Sequence, residues 1–245
     1  MRIGFRFRWI PFVVMLLLVA LGLSLARWQE RRFDEKTARA ARLEAGNRQA
    51  PLQLGAQPLL AQDGEAIEYR RVRITGHFLP AWTVYLDNRP YQGQAGFHVL
   101  TPFQLEHSSM HVLVAQGWLP RNNQERTRIP DYATPSGTVT IEGVVRLHAG
   151  HVMELGQAAP LAPQAIVQNI TIGQLAKASG LAFQPVLVEQ TAPMLPAGVL
   201  PVRDWPAPDL GADKHRGYAF QWTALAVMAF LFFVFTGIRR ANKQP

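Results

Sequence analysis

Hydrophobic and polar positions follow three patterns along this chain: unbroken apolar runs near both ends, a charged helical stretch after the first run, and period-two alternation between them. Trp9 to Ala26 (WIPFVVMLLLVALGLSLA) holds no charge over about 18 residues, and Tyr218 to Ile238 holds only Gln221, Thr223 and Thr236 as markedly polar positions over about 21. At ~1.5 Å per residue either run matches a hydrocarbon core roughly 30 Å thick, so both are predicted transmembrane helices. Pro11 is tolerable because it falls in a first turn. A cleaved signal peptide is the competing reading of the first run, since Arg2, Arg6 and Arg8 precede it and Ser24-Leu25-Ala26 ends it in a small-x-small pattern. The run is longer than the apolar region of about 7–15 residues that such peptides use. Gly22 with Ala26, and Ala219 with Thr223, form small-xxx-small pairs through which two membrane helices could pack closely.

Arg27 to Ala45 is built largely of strong helix formers with a Glu35–Arg39 pair one turn apart, so the first membrane helix is expected to continue through it and stop at Gly46. From Glu68 the period becomes two, with β-branched and aromatic residues between turn signals. Glu68–Phe78, Trp82–Pro90, Gly96–Phe103, His111–Pro120, Thr138–Leu147 and Gln164–Thr171 read as strands, then Thr171 caps a short helix Ile172–Ser179 stopped by Gly180, and Phe183–Gln190 is a further strand. Such a set makes a sheet, a sandwich or a small barrel. Pro193, Pro196, Pro201, Pro206 and Pro208 mark an extended linker over 192–210. The expected fold is an α+β membrane protein: spans at 9–26 and 218–238, short cytoplasmic ends at 1–8 and 239–245, and a β-rich extracytoplasmic domain over 27–217. Within that domain lie a helical extension at 27–45, a β-rich core at 68–190 and the proline-rich linker. No internal repeat is visible.

Charge bears on orientation and on partners. The formal net charge is +8, and Arg2, Arg6, Arg8, Arg239, Arg240 and Lys243 supply six of it from the flanks of the two spans. The pI of 10.4 is therefore a membrane-flank signal and not a nucleic-acid footprint. The positive-inside count conflicts with itself, because Arg27, Arg31, Arg32, Lys36, Arg39 and Arg42 come closely after the first span. That rule weakens for long loops, and the signal-like N-terminus favours translocation of the long segment behind it, so both termini are expected inside and the large domain outside. The chain has no cysteine, which excludes disulfides, iron–sulfur ligation and thiolate haem ligation.

Candidate chemistry concentrates at the mouth of the second span. On a helix, His215, Tyr218, Ala219, Trp222 and Ala226 fall on one stripe, with Lys214 and Arg216 beside the histidine. A flat apolar ligand could lie there, but interfacial anchoring explains Tyr, Trp and a wetted His equally well. Among the seven histidines, His107 and His111 flank one short loop, and His148 and His151 precede Met153 and Glu154, without a closed metal-ligand spacing in either group. His77 and His98 lie in strand patterns and read as sheet residues. No G-x-S-x-G, phosphate loop or H-E-x-x-H is present, so the sequence does not read as an enzyme.

Five segments in order carry a resemblance: LARWQERRFDEK with Trp28, Gln29 and Arg32, RRVRITGHF (Arg70–Phe78), GFHVLTP (Gly96–Pro102), VLVAQGWLP (Val112–Pro120) and HRGYAFQW (His215–Trp222). Together they resemble the Surfeit locus protein 1 family, assembly factors of cytochrome c oxidase. Two departures stand out: Ala26 where the family's first motif has glycine, and Ala115-Gln116 where its fourth has Asn-Arg. The resemblance implies an inner-membrane, multi-pass factor that takes part in inserting haem a into oxidase subunit I, with the haem a synthesis enzyme as a further partner. It also implies His215 as axial ligand of the haem iron. Tyr218 and Trp222 would then form an apolar wall, Ala219 and Ala226 would leave room, and Lys214 and Arg216 would meet the propionates. A structural accessory protein without its own haem site is the alternative.

Overall fold

The computed structural model describes residues 3–5, 7–153, 160–192, 201–205 and 212–240. In chain order the elements are β1 (Ile3–Phe5), α1 (Trp9–Arg48), β2 (Leu52–Gln53), α2 (Ala61–Ala66), β3 (Arg71–Phe78), β4 (Val84–Leu86), β5 (Gly96–Leu105), β6 (Met110–Pro120), β7 (Val139–Arg146), β8 (Ile166–Val167), α3 (Ile172–Ser179), β9 (Ala182–Ala192), α4 (Ala212–Gly237) and β10 (Ile238–Arg240). The chain divides into two compact units, Met1–Arg42 with Ala207–Pro245, and Leu43–Pro206.

The first unit is a helical hairpin. Both helices are long and apolar enough to cross a membrane, with mean hydropathy of 2.5 and 1.8 over their spanning windows. Leu16, Leu17, Leu18, Leu21, Phe232 and Phe235 are exposed on them, an apolar surface suited to lipid and not to water. The packed seam is narrow. On α1 it runs through Met15, Val19, Gly22, Ala26 and Gln29, and on α4 through Ala219, Trp222, Ala226, Ala229 and Phe233. Both sets step alternately by four and three residues, the spacing that keeps one stripe facing an antiparallel partner along a left-handed pair. A Cβ built on Gly22 would lie 3.0 Å from the Ala226 Cβ and 3.1 Å from the Trp222 carbonyl oxygen, so glycine there sets how closely the backbones approach. Phe12 tilts against Phe233 at 5.6 Å near the other end. Beyond them β1 pairs antiparallel with β10, from Ile3–Arg240 to Phe5–Ile238.

This seam corrects one expected pair. Ala219 is buried, but Thr223 is exposed and its hydroxyl donates to its own helix at the Ala219 carbonyl, 2.9 Å away. A four-residue step overshoots the 3.5-residue seam, and the small residue that meets Gly22 is Ala226, seven positions on. The helix stop expected at Gly46 is also revised, because α1 continues to Arg48. A Cβ on Gly46 would collide with the Tyr69 carbonyl, so this glycine answers a close backbone approach.

The second unit is a small barrel with additions. Strand neighbours run β2-β3-β7-β9-β6-β5-β4-β8, and a further β3–β5 pairing closes β3, β7, β9, β6 and β5 into a ring. Each ring strand contributes inward residues: Val72, Ile74 and Phe78 from β3, Phe103 and Leu105 from β5, Val112 and Val114 from β6, Ile141 and Val145 from β7, Val186 and Val188 from β9. Phe78 and Phe103 meet edge to face at 4.9 Å. The outer side of β5, β6 and β9 carries Leu100, Leu113, Ala115 and Leu187, which α3 covers with Leu175. Strand β6 is therefore buried on both faces, which explains its apolar run without alternation.

Glu68–Phe78 and Thr138–Leu147 are trimmed to β3 and β7, and Gly96–Phe103, His111–Pro120 and Phe183–Gln190 lengthen into β5, β6 and β9. Trp82–Pro90 shortens to the three residues of β4, and Gln164–Thr171 shortens to the two residues of β8. Gln164 has φ of +61° and Asn169 turns its amide to the Val152 backbone, so both ends of that segment leave extended pairing. The short helix α3 has the expected bounds, with Thr171 Oγ1 accepting from the Gln174 amide at 3.2 Å and Gly180 at φ of +72°. Of the expected linker, residues 193–200 and 206–210 lie outside the described residues, while Val202 pairs with Trp118 in both directions at 2.8 Å.

Candidate functional site

A polar residue buried in an apolar helix seam needs a partner, and the hairpin supplies one. His215 stands one step above Ala219 on the α4 seam, and its Nδ1 lies 2.7 Å from Oε1 of Gln29. Gln29, only 8% exposed, stands one step beyond Ala26 on α1. A carboxamide oxygen can only accept, so Nδ1 of His215 carries the hydrogen and donates it. In the uncharged tautomer that donates from Nδ1, the lone pair is on Nε2. This is the arrangement in which a histidine is held in one tautomer and orientation by the hydrogen bond on its far nitrogen, leaving the other free to bind a metal.

Around His215 the sequence-predicted residues separate. Lys214 and Arg216 are exposed. Tyr218 is also exposed, at 50%, and lies beside the seam. Trp222 is partly buried and, with Ala219 and Ala226, is occupied by the contact with α1. The single stripe expected from helical spacing is therefore two: a packed line through His215, Ala219, Trp222 and Ala226, and an outward line that includes Tyr218. Space expected beside Ala219 and Ala226 is taken up by α1, because these alanines are what lets the backbones approach.

Gln29 is the site residue that its own sequence context did not single out. Its signal was present: a polar position in register with Gly22 and Ala26, where an apolar residue continues the pattern. Trp28 and Arg32 of the same motif point outward, with the guanidinium 5.8 Å from the ring centroid and Arg32 paired to Glu35 at 3.0 Å. The first and last of the five motif segments thus meet at one hydrogen bond.

The other histidines are dispersed. His111 is buried, with Nδ1 3.0 Å from the Ala182 carbonyl oxygen, whereas His107 is exposed beside Glu106. His148, His151 and Met153 are exposed, and Glu154 lies outside the described residues. Among the described residues no three His, Cys, Asp or Glu side chains gather as a metal site. His77 is exposed on β3, but His98 is half-buried with its ring 5.1 Å from that of Trp205. Burial and the nearby Arg89 charge lower the His98 pKa to about 4, so it is neutral at pH 7.

At the departure in the fourth segment, Gln116 is fully buried and its Nε2 donates to Thr101 Oγ1 at 2.7 Å, with Thr83 and Thr101 hydroxyls 2.9 Å apart. This neutral hydroxyl–amide cluster has no carboxylate to receive the arginine that the resemblance expects there. Next to it, Gly117 has φ of +146° opposite a bulge at Val99–Leu100, and a Cβ would come within 2.6 Å of the Val202 carbonyl oxygen.

Known proteins match this sequence along most of the chain. A SURF1-like protein of Monosiga brevicollis is 27% identical over 234 residues, spanning 90% of this chain and 85% of its own. Surfeit locus protein 1 of Mus musculus is 29% identical over 148 residues, 54% of this chain and 47% of its own. A cytochrome oxidase assembly protein of Saccharomyces cerevisiae is 31% identical over 108 residues, 43% of this chain and 27% of its own. The SURF1 family profile matches residues 16–227, from within the first span through the barrel and into the second span, and the chain belongs to that family.

Proposed function

We propose that this protein is a membrane-anchored assembly factor of cytochrome c oxidase that assists insertion of haem a into subunit I, in concert with the enzyme that makes haem a. The name of its yeast relative, a cytochrome oxidase assembly protein, supports the oxidase reading. The observation that carries the haem reading is the Gln29–His215 hydrogen bond at 2.7 Å, which engages Nδ1 and leaves Nε2 as the nitrogen to offer a metal at the mouth of a membrane span. These residues fit an iron ligand and its support: His215 would provide the nitrogen, Gln29 would orient the ring, exposed Tyr218 would offer an apolar face, and Lys214 and Arg216 would offer cations for propionates. Haem a would supply the iron and the hydrophobic macrocycle, and the chain would hold and orient them. Under this reading the barrel lies outside the inner membrane with both termini inside. The reading as a structural accessory protein is favoured by one fact, that Ala219, Trp222 and Ala226 are consumed by helix packing.

An absorption spectrum of the purified protein, coexpressed with haem a synthesis, separates the two. Wild type should carry a haem signal, and His215→Ala should lose it at unchanged protein level and membrane insertion. A wild-type spectrum from His215→Ala would make this histidine an interfacial anchor only.

A further inference from the structure

The barrel unit carries a second site, unrelated to His215. Two clefts adjoin on the face between α3 and the segment after β7, sharing His148, Ala149 and Leu187 in their walls. One, of about 410 Å³, is apolar, lined by Leu113, Ile170, Ile172, Phe183 and Leu187. The other, of about 240 Å³, is lined by Arg89, His98, Arg146, Glu189 and Trp205.

The charges in the smaller lobe do not balance. Arg146 pairs with Glu189 at 3.4 Å, so those two offset each other. Arg89 is only 6% exposed, and its hydrogen bonds among the described residues all go to main-chain carbonyls, of Asp87 at 3.4 Å, Gly150 at 3.5 Å and Gln168 at 3.0 Å. Asp87, the nearest carboxylate in sequence, acts on the Arg89 charge but is shared with Arg121 at 3.2 and 3.3 Å, so two guanidiniums face one carboxylate. Carbonyls satisfy N–H groups but do not cancel charge, so among the described residues one positive charge here is left without a full counter-charge, a costly state that an anion relieves. The field of Arg89 reaches the lobe, since it helps keep His98 unprotonated.

We infer that this two-lobed cleft binds a monoanionic organic acid, a carboxylate against Arg89 with an apolar body lying under α3. One uncompensated guanidinium matches one charge, and its planar fork matches a planar carboxylate better than a tetrahedral dianion. The apolar lobe opens on core residues Leu113 and Leu187, so a hydrophobic body is matched by its walls. The site does not depend on His215 or on haem.

The full chain in lipid nanodiscs tests this by saturation-transfer NMR and calorimetry, with 2-naphthoate as the ligand and empty nanodiscs as the blank. Naphthoate should bind saturably, and the uncharged 2-naphthamide at least ~10-fold more weakly, because a charge-assisted pair is lost. Two variants address the lobes. Gly173 lines the apolar lobe, and a Cβ on it meets nothing within 4 Å, so Gly173→Phe should fill the lobe and weaken naphthoate ~10-fold or more without altering the thermal unfolding curve. Arg89→Gln should weaken it similarly, and if that variant fails to fold, Gly173→Phe and the amide comparison decide the matter. Binding no greater than to empty nanodiscs, equal binding of the amide, or an affinity that Gly173→Phe leaves unchanged would each overturn the site. Displacement of naphthoate by low-millimolar inorganic phosphate would overturn the assignment to a carboxylate.

Discussion

Acidification should destabilise the barrel unit through His98, and His98→Gln should remove most of that sensitivity. His98 is half-buried against Trp205 and its pKa falls from the ordinary 6.5 to about 4, through burial first and the Arg89 charge second. Below pH 6.5 the unfolded chain takes up a proton that folded His98 refuses, so stability present above the unfolded pKa is lost as pH falls toward 4. The slope is about 1.4 kcal/mol per pH unit, or about 2 kcal/mol between pH 6.5 and 5. For a unit of this size that corresponds to a fall in Tm on the order of 4–8 °C. Glu189 acts in the opposite sense, because burial raises its pKa and stability is gained as pH falls through that raised value. Glu142, held below the ordinary carboxylate range by Arg73, loses its contribution only at lower pH. Both groups are common to wild type and variant, so the difference between their curves isolates His98. Circular dichroism melts of the full chain in nanodiscs at pH 7, 6 and 5 measure it. An equal fall in Tm for wild type and His98→Gln would refute the argument.

Other substitutions test the remaining geometry. Gly117→Ala, at φ of +146° and facing the Val202 carbonyl, should cost about 2 kcal/mol or more and lower protein abundance, and normal abundance would deny the close approach. Gly22→Leu should force α1 and α4 apart and break the Gln29–His215 bond two turns away, seen as loss of the hydrogen-bonded imidazole N–H resonance, whereas Gly22→Ala should do so only partly. A reporter active only outside the cytoplasm should be active when fused near Gly150 and silent at the C-terminus, and the reverse pattern would invert the proposed orientation.

What the sequence made legible was local. The two spans, α3 with its cap and stop, and the ring strands arise from hydrophobic period and turn residues, which act over a few neighbours. Closure of the ring was not legible, because the β3–β5 pairing joins Gly76–Phe78 to Phe103–Leu105 around a corner that no period encodes. Gly76 was its trace, since a Cβ there would strike the Gln104 carbonyl. The site was half legible. His215 stands out at the mouth of a span, but its partner Gln29 lies 186 positions away, and the phase that joins them is a property of two helices together. Gln164–Thr171 misled because its alternation is real while its backbone turns at Gln164.

Strand β9 sits between β6 and β7, parallel to the first and antiparallel to the second, although it is the last strand of the barrel to be synthesised. Until residue 192 has emerged, β6 and β7 each present an unpaired edge and the ring core lacks one of its five walls. The ring cannot close from its N-terminal side alone. The β7-β3-β5-β6 sheet can pair earlier, but the ring closes only when β9 joins β6 to β7, both long-range pairings of that strand being met in one step. A nascent chain halted before β9 is accordingly an open sheet with sticky edges, a target for chaperones and proteases. Premature stops anywhere upstream of residue 182 should therefore leave no partly working domain to be rescued.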